Sequence, residues 1–451
     1  MKNFFLLFLL IFSCSQNNHS DSKLLFEKFK SPTNPSDPIK YKDVIELSCK
    51  PIDTVRVGFI GVGKRGSSAV YRFSFLDKAK IMALCDLRPE NIEYCTQILQ
   101  NKNIPSPDIY TDVNDWKKIC ERDDVDLIYI STHWDLHTKI AVYAMNQGKH
   151  VAVEVPAALN IDECWQLVRA AEKNRKHCFP LENCNYGYFE MSAINMCKHN
   201  VFGEIIHCDG AYIHDLRKFL FDEKFYWKKW RIEHLKKAKG NTYPTHGIGP
   251  VSHILNIHRG DRFSHLVSMS SKEFGLSEYA KSIKEDNYNF EKGDVNTSII
   301  KTINGKTIML QHSVSTPRPY SRIFSITGSK GHIQKYPKKC IAIEPKTHEY
   351  LNPFKLDSII NEYYPPFLRK IRPKAEKVGG HGGIDFIMDY RLIYCLNKGL
   401  PLDQDVYDAA EWSSIIELSR NSVSENSVVA EFPDFTSGAW NRIKKLTYYK
   451  D

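Results

Sequence analysis

Residues 54–154 alternate short apolar runs with stretches of helical spacing. Four runs, 54–60, 80–86, 126–131 and 149–154, have the near-continuous apolar character of strands buried on both faces. Around them, 65–75, 89–100, 113–121 and 136–147 repeat apolar residues three and four positions apart. This alternation predicts a parallel sheet with crossover helices, a doubly wound dinucleotide-binding domain over 51–185 that takes in a further apolar run at 177–181.

After residue 203 the texture changes. Residues 204–213 read as a strand that turns polar at its end, and 300–314 hold an Asn304-Gly305 step between alternating runs, a strong hairpin signal. Residues 384–397 and 406–419 return to helical spacing. The expected α/β fold is thus a Rossmann domain followed, over 186–451, by a substrate-binding α+β domain. That domain is built on a mostly antiparallel sheet, its last helices packing back between the two.

The first thirteen residues break the pattern, since nine are Phe, Leu or Ile. Met1-Lys2-Asn3 is a short positive lead, and the apolar run 4–12 is too short to span a bilayer but suits a signal peptide over 1–13. The run ends in Ile11-Phe12-Ser13-Cys14, which resembles a bacterial lipobox and implies lipidation of Cys14. Residues 14–50, with Ser-Pro, Asn-Pro and Asp-Pro steps, read as anchor and tether. The expectation is an exported, membrane-anchored protein of the bacterial cell envelope with a soluble body.

Composition adds limits. Of 451 residues, 42% are hydrophobic and 25% charged, which excludes disordered and low-complexity classes. A net charge of +9 over this length makes a weak case for a nucleic-acid partner and leaves a homo-oligomer open. Twelve cysteines show no Cys-x-x-Cys spacing, so neither a disulfide framework nor a zinc or other metal site is expected.

The first predicted strand runs into Gly61-Val-Gly63-Lys64-Arg65-Gly66. Gly61 permits the tight turn, Gly63 lets backbone approach a pyrophosphate, and Gly66 lets helix and strand pack closely. The next strand ends at Asp86, twenty residues on, where a carboxylate binds both ribose hydroxyls and repels a 2′-phosphate, favouring NAD. The loop at 131–137, Glu154-Val155-Pro156, and Glu182-Asn183 crowd the same sheet edge. Residues 219–239 interleave Phe225, Tyr226, Trp227 and Trp230 with Lys and Arg. Such segments hold single-stranded nucleic acid or sugars, and one short segment favours sugars. In Asn241-Thr-Tyr243-Pro244-Thr245-His246-Gly-Ile-Gly-Pro250, glycines and prolines fix an irregular loop around one Tyr and one His, making His246 the leading catalytic candidate. His214, His253 and His258 read as ordinary core or surface histidines.

These motifs resemble the Gfo/Idh/MocA oxidoreductases, with Val155 where that family normally carries the lysine of Glu-Lys-Pro. Glu-Val-Pro, Gly210-Ala-Tyr212-Ile-His214, Trp230-Arg231, the 241–250 loop, Arg318-Pro-Tyr320-Ser-Arg322 and Gly379-Gly-His381-Gly-Gly-Ile-Asp385 are similar to one branch, the family 109 glycoside hydrolases, NAD-dependent α-N-acetylgalactosaminidases. The resemblance implies an NAD site lined by Gly61, Gly63, Lys64, Arg65, Gly66, Asp86, Trp134, Asp135, Leu136, His137, Glu154, Val155 and Asn183. It implies a sugar site lined by Tyr212, Arg231, Tyr243, Pro244, Thr245, His246 and Tyr320.

The expected reaction oxidises sugar C3, eliminates the aglycone, adds water and restores C3, with retention and no net use of NAD. His246 deprotonates the C3 hydroxyl. Tyr243 or Tyr212 is the C2 base or the acid, its pKa lowered by Arg231 or the nicotinamide charge. The alternatives are an NAD-dependent sugar dehydrogenase or epimerase, and a non-catalytic carbohydrate-binding lipoprotein.

Overall fold

The computed structural model describes residues 41–285, 288–346 and 348–443. The signal peptide, Cys14 and most of the tether lie outside the described residues.

The first sheet has six parallel strands: β1 (Val55–Ile60), β2 (Ala79–Cys85), β3 (Asp108–Tyr110), β4 (Leu127–Ile130), β5 (His150–Val153) and β6 (Cys178–Pro180). Their order is β3-β2-β1-β4-β5-β6, so the winding reverses between β1 and β4. The chain crosses over through α1 (Lys64–Phe73), α2 (Pro89–Gln100), α3 (Asp115–Glu121), α4 (Trp134–Asn146) and α5 (Ile161–Asn174). β4 and β5 are buried at every position, as parallel strands covered on both faces must be. The three-residue edge strand β3 is the one strand of this sheet that the apolar pattern did not announce; its sequence, Asp-Ile-Tyr, is largely exposed.

The chain enters the second layer through α6 (Tyr188–Lys198), which follows a short 3-10 turn at Asn183–Tyr186. An eight-stranded sheet then forms from β7 (Ile205–Ile213), β8 (Phe263–Ser270), β9 (Asn296–Thr302), β10 (Thr307–Ser313), β11 (Ser325–Gly328), β12 (Gly331–Gln334), β13 (Cys340–Ile343) and β14 (Ala430–Glu431). Its order is β13-β12-β11-β7-β10-β9-β8-β14, and β7 with β10 is the parallel pair in an otherwise antiparallel array. The Asn304-Gly305 hairpin joins β9 to β10, with Gly305 at φ +85°.

Between β7 and β8 lie α7 (Arg217–Leu220), α8 (Trp230–Lys237) and α9 (Thr245–Leu255), and α10 (Gly275–Ser282) follows β8. After β13 come α11 (Pro353–Glu362), α12 (Pro366–Val378), α13 (Ile384–Lys398) and α14 (Val406–Ser424). The last two pack against the two sheets. Phe386, Ile387 and Leu392 of α13 join the core on one face of the Rossmann sheet. Tyr407, Trp412 and Ile415 of α14 share a core with Trp165 of α5 and with Phe263 and Leu266 of β8. Asp405 caps α14, its side chain accepting from Tyr407 and Asp408. One continuous apolar cluster therefore spans both sheets.

All eleven described cysteines are free thiols, most of them buried. Among the described residues no helix is long and apolar enough to cross a membrane.

Candidate functional site

The carboxyl ends of β1, β4, β5 and β6 meet where the strand order reverses, the place at which open α/β sheets bind ligands. The glycine loop there is dictated by crowding. A Cβ on Gly61, at φ +83°, would lie 2.8 Å from the Ser131 backbone, and one on Gly66 would lie 2.0 Å from the Gly61 carbonyl. A Cβ on Gly63 would meet nothing nearer than Asn91 Nδ2 at 3.7 Å, so room remains in front of α1. Helix α1 starts without a side-chain cap and without an acid in its first turn, leaving its leading N–H groups for an anion. At the end of β2, Asp86 is fixed by the Val62 N–H (2.8 Å), the Arg88 N–H (2.9 Å) and Asn91 Nδ2 (3.0 Å). Room for a pyrophosphate and an anchored carboxylate for a ribose fit a bound dinucleotide.

Deeper along the edge, Arg65 links three elements. Its guanidinium donates to Glu154 Oε1 at 2.9 Å and to Asp385 Oδ2 on α13 at 3.2 Å. Asn183 donates to Asp385 Oδ1. Buried Arg72 continues the network to Asp389 at 2.6 Å. Burial alone pushes the Asp385 carboxyl up, but Arg65, the His381 hydrogen bond and Arg72 together hold it well below the usual range. Asp389, deeper still, is the opposite case: burial outweighs Arg72 and lifts it to about 6.

The second half of the site comes from β7 and α9. Gly247 and Gly210 bring helix and strand together backbone to backbone, since a Cβ on Gly210 would lie 2.3 Å from the Gly247 carbonyl. A Cβ on Gly249 would sit 2.9 Å from Glu182 Cγ. These approaches set His246, in the first turn of α9, against the end of β6. Its Nδ1 lies 2.8 Å and 2.9 Å from the two carboxylate oxygens of Glu182, which is fully buried and also accepts from the Cys184 N–H. Burial raises the Glu182 carboxyl, yet the His246 charge and these hydrogen bonds bring it below its ordinary value. The 240–246 loop is bolted to α14 by Asn241 N–H on Ser419 Oγ (2.9 Å), and Asn241 Oδ1 accepts from the Tyr243 N–H.

Around His246 stand Tyr243 and Tyr212, with ring centroids 4.9 and 5.3 Å away. Arg231 lies over Trp134 and Tyr243 at 4.8 and 4.9 Å and donates to Tyr226. Val155 sits within this same aromatic cluster. The expectation that Arg231 lowers a tyrosine pKa meets a stronger effect. Burial raises both Tyr212 and Tyr243, and Arg231 offsets only part of it. Tyr212 has a proton acceptor of another kind: its hydroxyl lies 3.0 Å from His214 Nδ1, an imidazole whose pKa burial and then the Arg231 charge lower.

Other expected residues fall at varied distances from this centre. Lys64 lies over the Phe225 ring at 3.6 Å, which carries the aromatic 219–239 stretch onto the Rossmann domain. His133 stacks on Trp230, and Asp135, largely exposed, meets His234 at 3.3 Å. Leu136 packs against the core. His137 is buried with both ring nitrogens on backbone carbonyls, Pro156 and Thr132, so it shapes the loop rather than facing a ligand. Pro244 caps α9 and Thr245 is buried at its start. Tyr320, partly exposed, edges onto His214 at 5.1 Å. His253 and His258 are core residues, as read.

His214 follows directly on β7, and its Nδ1 contact with the Tyr212 hydroxyl ties it to the site. Glu182 and Asp385 were also underrated, and His381, 2.9 Å from Asp385, had no role assigned. Glu182, Cys184 and His246 offer ligand atoms within 4.8 Å of one another. Burial pushes the Cys184 thiol well up, which works against the thiolate a metal requires.

Fold and glycine loop define an NAD-binding Rossmann protein with an appended mixed sheet. Residues 55–181 match the family profile described as oxidoreductase family, NAD-binding Rossmann fold. Residues 186–442 match the profile of the glycosyl hydrolase 109 C-terminal domain. The chain belongs to glycosyl hydrolase family 109. It is 45% identical to glycosyl hydrolase family 109 protein 1 of Bacteroides thetaiotaomicron, over 97% of this chain and 96% of that one. It is 48% identical to an alpha-N-acetylgalactosaminidase of Bacteroides fragilis, over 88% and 96% of the two chains. Among solved structures, a levoglucosan dehydrogenase in complex with NADH and levoglucosan shares the fold, with a TM-score of 0.65 at 17% identity over 84% of this chain and all of that one.

Proposed function

We propose that this NAD-dependent family 109 glycosidase cleaves terminal α-linked N-acetylgalactosamine with retention, at the bacterial cell envelope, anchored through a lipid on Cys14. The observation that carries the chemistry is the buried Glu182–His246 pair beside Tyr212 and Tyr243. Ordinary glycosidases oppose two free carboxyl groups. Here Glu154 is tied to Arg65, Glu182 to His246, and Asp385 to Arg65 and His381. Acid–base work therefore falls to histidine and tyrosine.

Bound NAD supplies a hydride acceptor for sugar C3–H and later the donor that restores it. Gly63, the α1 N-terminus and Asp86 would hold the dinucleotide, and Arg65, Glu154 and Asn183 would line the rest of its site. His246 takes the C3 hydroxyl proton on Nε2, because Glu182 engages Nδ1 and stabilises the imidazolium that forms. The 3-keto group then acidifies C2–H. Tyr212 takes that proton as its own phenolic proton passes to His214 Nδ1, so neither buried tyrosine has to stand as a free phenolate. Departure of the aglycone from C1 leaves an enone, water adds at C1, and C3 is restored. Arg231 and the Trp134–Tyr243 pair form the wall against the sugar. A redox-neutral cycle also suits an exported enzyme, which has no cytoplasmic pool to reoxidise NADH.

The test is turnover of an aryl α-N-acetylgalactosaminide in deuterated water. Release of the aryl alcohol, deuterium at C2 of the recovered sugar and no accumulation of NADH is the expected outcome. Accumulation of NADH at 340 nm without release would overturn it in favour of a sugar dehydrogenase. Protein without bound NAD and without turnover would point to a carbohydrate-binding lipoprotein.

A further inference from the structure

The strands of the Rossmann sheet end at the catalytic cleft, and a second concavity lies at the edge where they begin. It encloses about 380 Å³, within the range of ligand sites, roughly 300–1,000 Å³. Asp126, Lys149 and Lys176 line it, each within two residues of the start of β4, β5 or β6. Cys49 and Lys50 bound it from the incoming 41–50 segment. That segment is fastened by the Cys49 N–H on the Gly399 carbonyl and by Arg175, whose guanidinium donates to the Lys42 and Asp43 carbonyls at 2.6 Å. At the turn before β5, a Cβ on Gly148 would meet nothing within 4 Å, so this side of the hollow is open.

The wall is cationic. Lys50, Lys149, Arg175 and Lys176 line it with Asp123 and Asp126. Asp126 is committed to Arg56, which donates to its two oxygens at 2.9 and 2.7 Å, and Asp123 is exposed. Lys149 is buried and donates to the Arg122 carbonyl. Lys176 has neither a hydrogen bond nor an ion pair among the described residues. Its charge acts on Lys149, on His150 and on the Cys49 thiol, all of which line the hollow, so its ammonium stands over the cavity. Two ammonium groups thus repel each other at one concavity, where a dianion between them would attract both. His150 adds a neutral donor. It is 5% exposed, and burial, followed by the Lys176 charge, pushes its pKa down to about 3. Its Nδ1 accepts the His177 N–H at 3.2 Å, so the ring proton sits on Nε2.

We propose that this cavity binds a phosphate monoester, with the phosphate between Lys149 and Lys176 and the organic part towards Lys50 and Cys49. Phosphate suits these donors better than a carboxylate does. Lysine holds it as a point charge, its two negative charges match two ammonium groups, and a third oxygen is left for the His150 Nε2–H. A volume of about 380 Å³ leaves room beyond the phosphate for a glycerol or a single sugar. A soluble glycerol or sugar phosphate and the head of a phosphate-bearing lipid present the same chemistry. The cavity is distinct from the catalytic site, since the glycine loop and His246 lie at the opposite edge of the same parallel sheet. Occupancy therefore leaves glycoside turnover unchanged. When the phosphate belongs to a membrane surface, the catalytic cleft faces away from that surface.

The experiment uses the full chain loaded with NAD, which keeps the anion cradle at α1 occupied. The probes are inorganic phosphate, glycerol 3-phosphate and phosphatidic acid with six-carbon chains. Cys49 lines the cavity and is half-buried, so its rate of alkylation, read by mass spectrometry, reports occupancy against half-buried Cys340 as reference. Millimolar glycerol 3-phosphate should slow alkylation of Cys49 by about fivefold or more and leave Cys340 unchanged. Lys176→Gln and Lys50→Gln should each weaken binding in calorimetry by about tenfold, with aryl glycoside turnover within about twofold of wild type. Tighter binding of the six-carbon lipid than of glycerol 3-phosphate assigns the site to a lipid headgroup, and equal or weaker binding assigns it to a soluble phosphate. Failure of every probe to protect Cys49, or equal affinity in wild type and both variants, overturns the proposal.

Discussion

On the Rossmann side of the site, ligand room is shaped by backbone. Gly61 and Gly66 close a turn that no side chain could enter, and Gly63 leaves a space in front of a helix N-terminus. On the mixed-sheet side, the room is shaped by side chains that arrive from far apart. His246 meets Glu182 across 64 residues, and Asn183 meets Asp385 across 202. Gly61 and Gly66 admit no added atom, whereas the second half depends on each proton-bearing side chain. A backbone-built half should fail by losing fold and cofactor together, and a side-chain-built half by losing rate with the cofactor still bound.

The sharpest break of that contrast is His246→Ala. We expect kcat to fall by about 10²- to 10⁴-fold with NAD still bound, and Tm to fall at neutral pH because the buried Glu182 carboxylate loses its partner, checked by aryl glycoside turnover, thermal unfolding and absorbance of the purified protein. Gly66→Ala should behave inversely. Its Cβ would enter to 2.0 Å of the Gly61 carbonyl, so unfolding should ease by about 1–3 kcal/mol and NAD content should drop, read by denaturant unfolding and cofactor quantitation.

A third prediction separates the two kinds of buried carboxylate. Asp389 has its folded pKa raised to about 6, above its unfolded value, so the folded state holds a proton that the unfolded state releases. Its contribution to stability is present below pH 4 and is lost as pH rises towards 6. Asp389→Asn should abolish that fall, so the variant-minus-wild-type stability rises across pH 4–6 by on the order of 2 kcal/mol. Asp385 and Glu182, held below their ordinary values, carry the opposite sign: their contributions are full above the unfolded pKa and lost as pH falls. Unfolding free energies of Asp385→Asn and Asp389→Asn across pH 3–7 should therefore diverge. The smallest effect expected is for Phe225→Leu, which removes the aromatic face under Lys64. Loss of about 0.5–1 kcal/mol should speed NAD dissociation by less than tenfold, measured by exchange with labelled NAD.

Local patterns were enough for much of the fold. The glycine loop, its strand and its helix lie within twenty residues, and each is governed by neighbours in sequence. The Asn304-Gly305 hairpin is equally local, and the periodicity of α13 and α14 announced helices that do pack back against both sheets. Strand β3 escaped notice because an exposed edge strand of three residues needs no apolar run. At the site, His246 stood out through its loop of glycines and prolines, but Glu182 did not. A glutamate at a strand end is ordinary until a histidine is folded onto it. His214 was given the commonest reading for a histidine, although its spacing from Tyr212 was the available signal.

The sequence by itself determined that a dinucleotide-binding strand–turn–helix begins at Val55, that an acid follows at Asp86, and that a Tyr–His loop lies at 241–250. It could do so because those features depend on backbone conformation and spacing within a few dozen residues. Only the tertiary structure decided which carboxylate serves which histidine and that burial, rather than Arg231, governs the tyrosines. Those outcomes depend on which groups are brought together and on how much water is excluded between them, and neither is a property of any one stretch of chain.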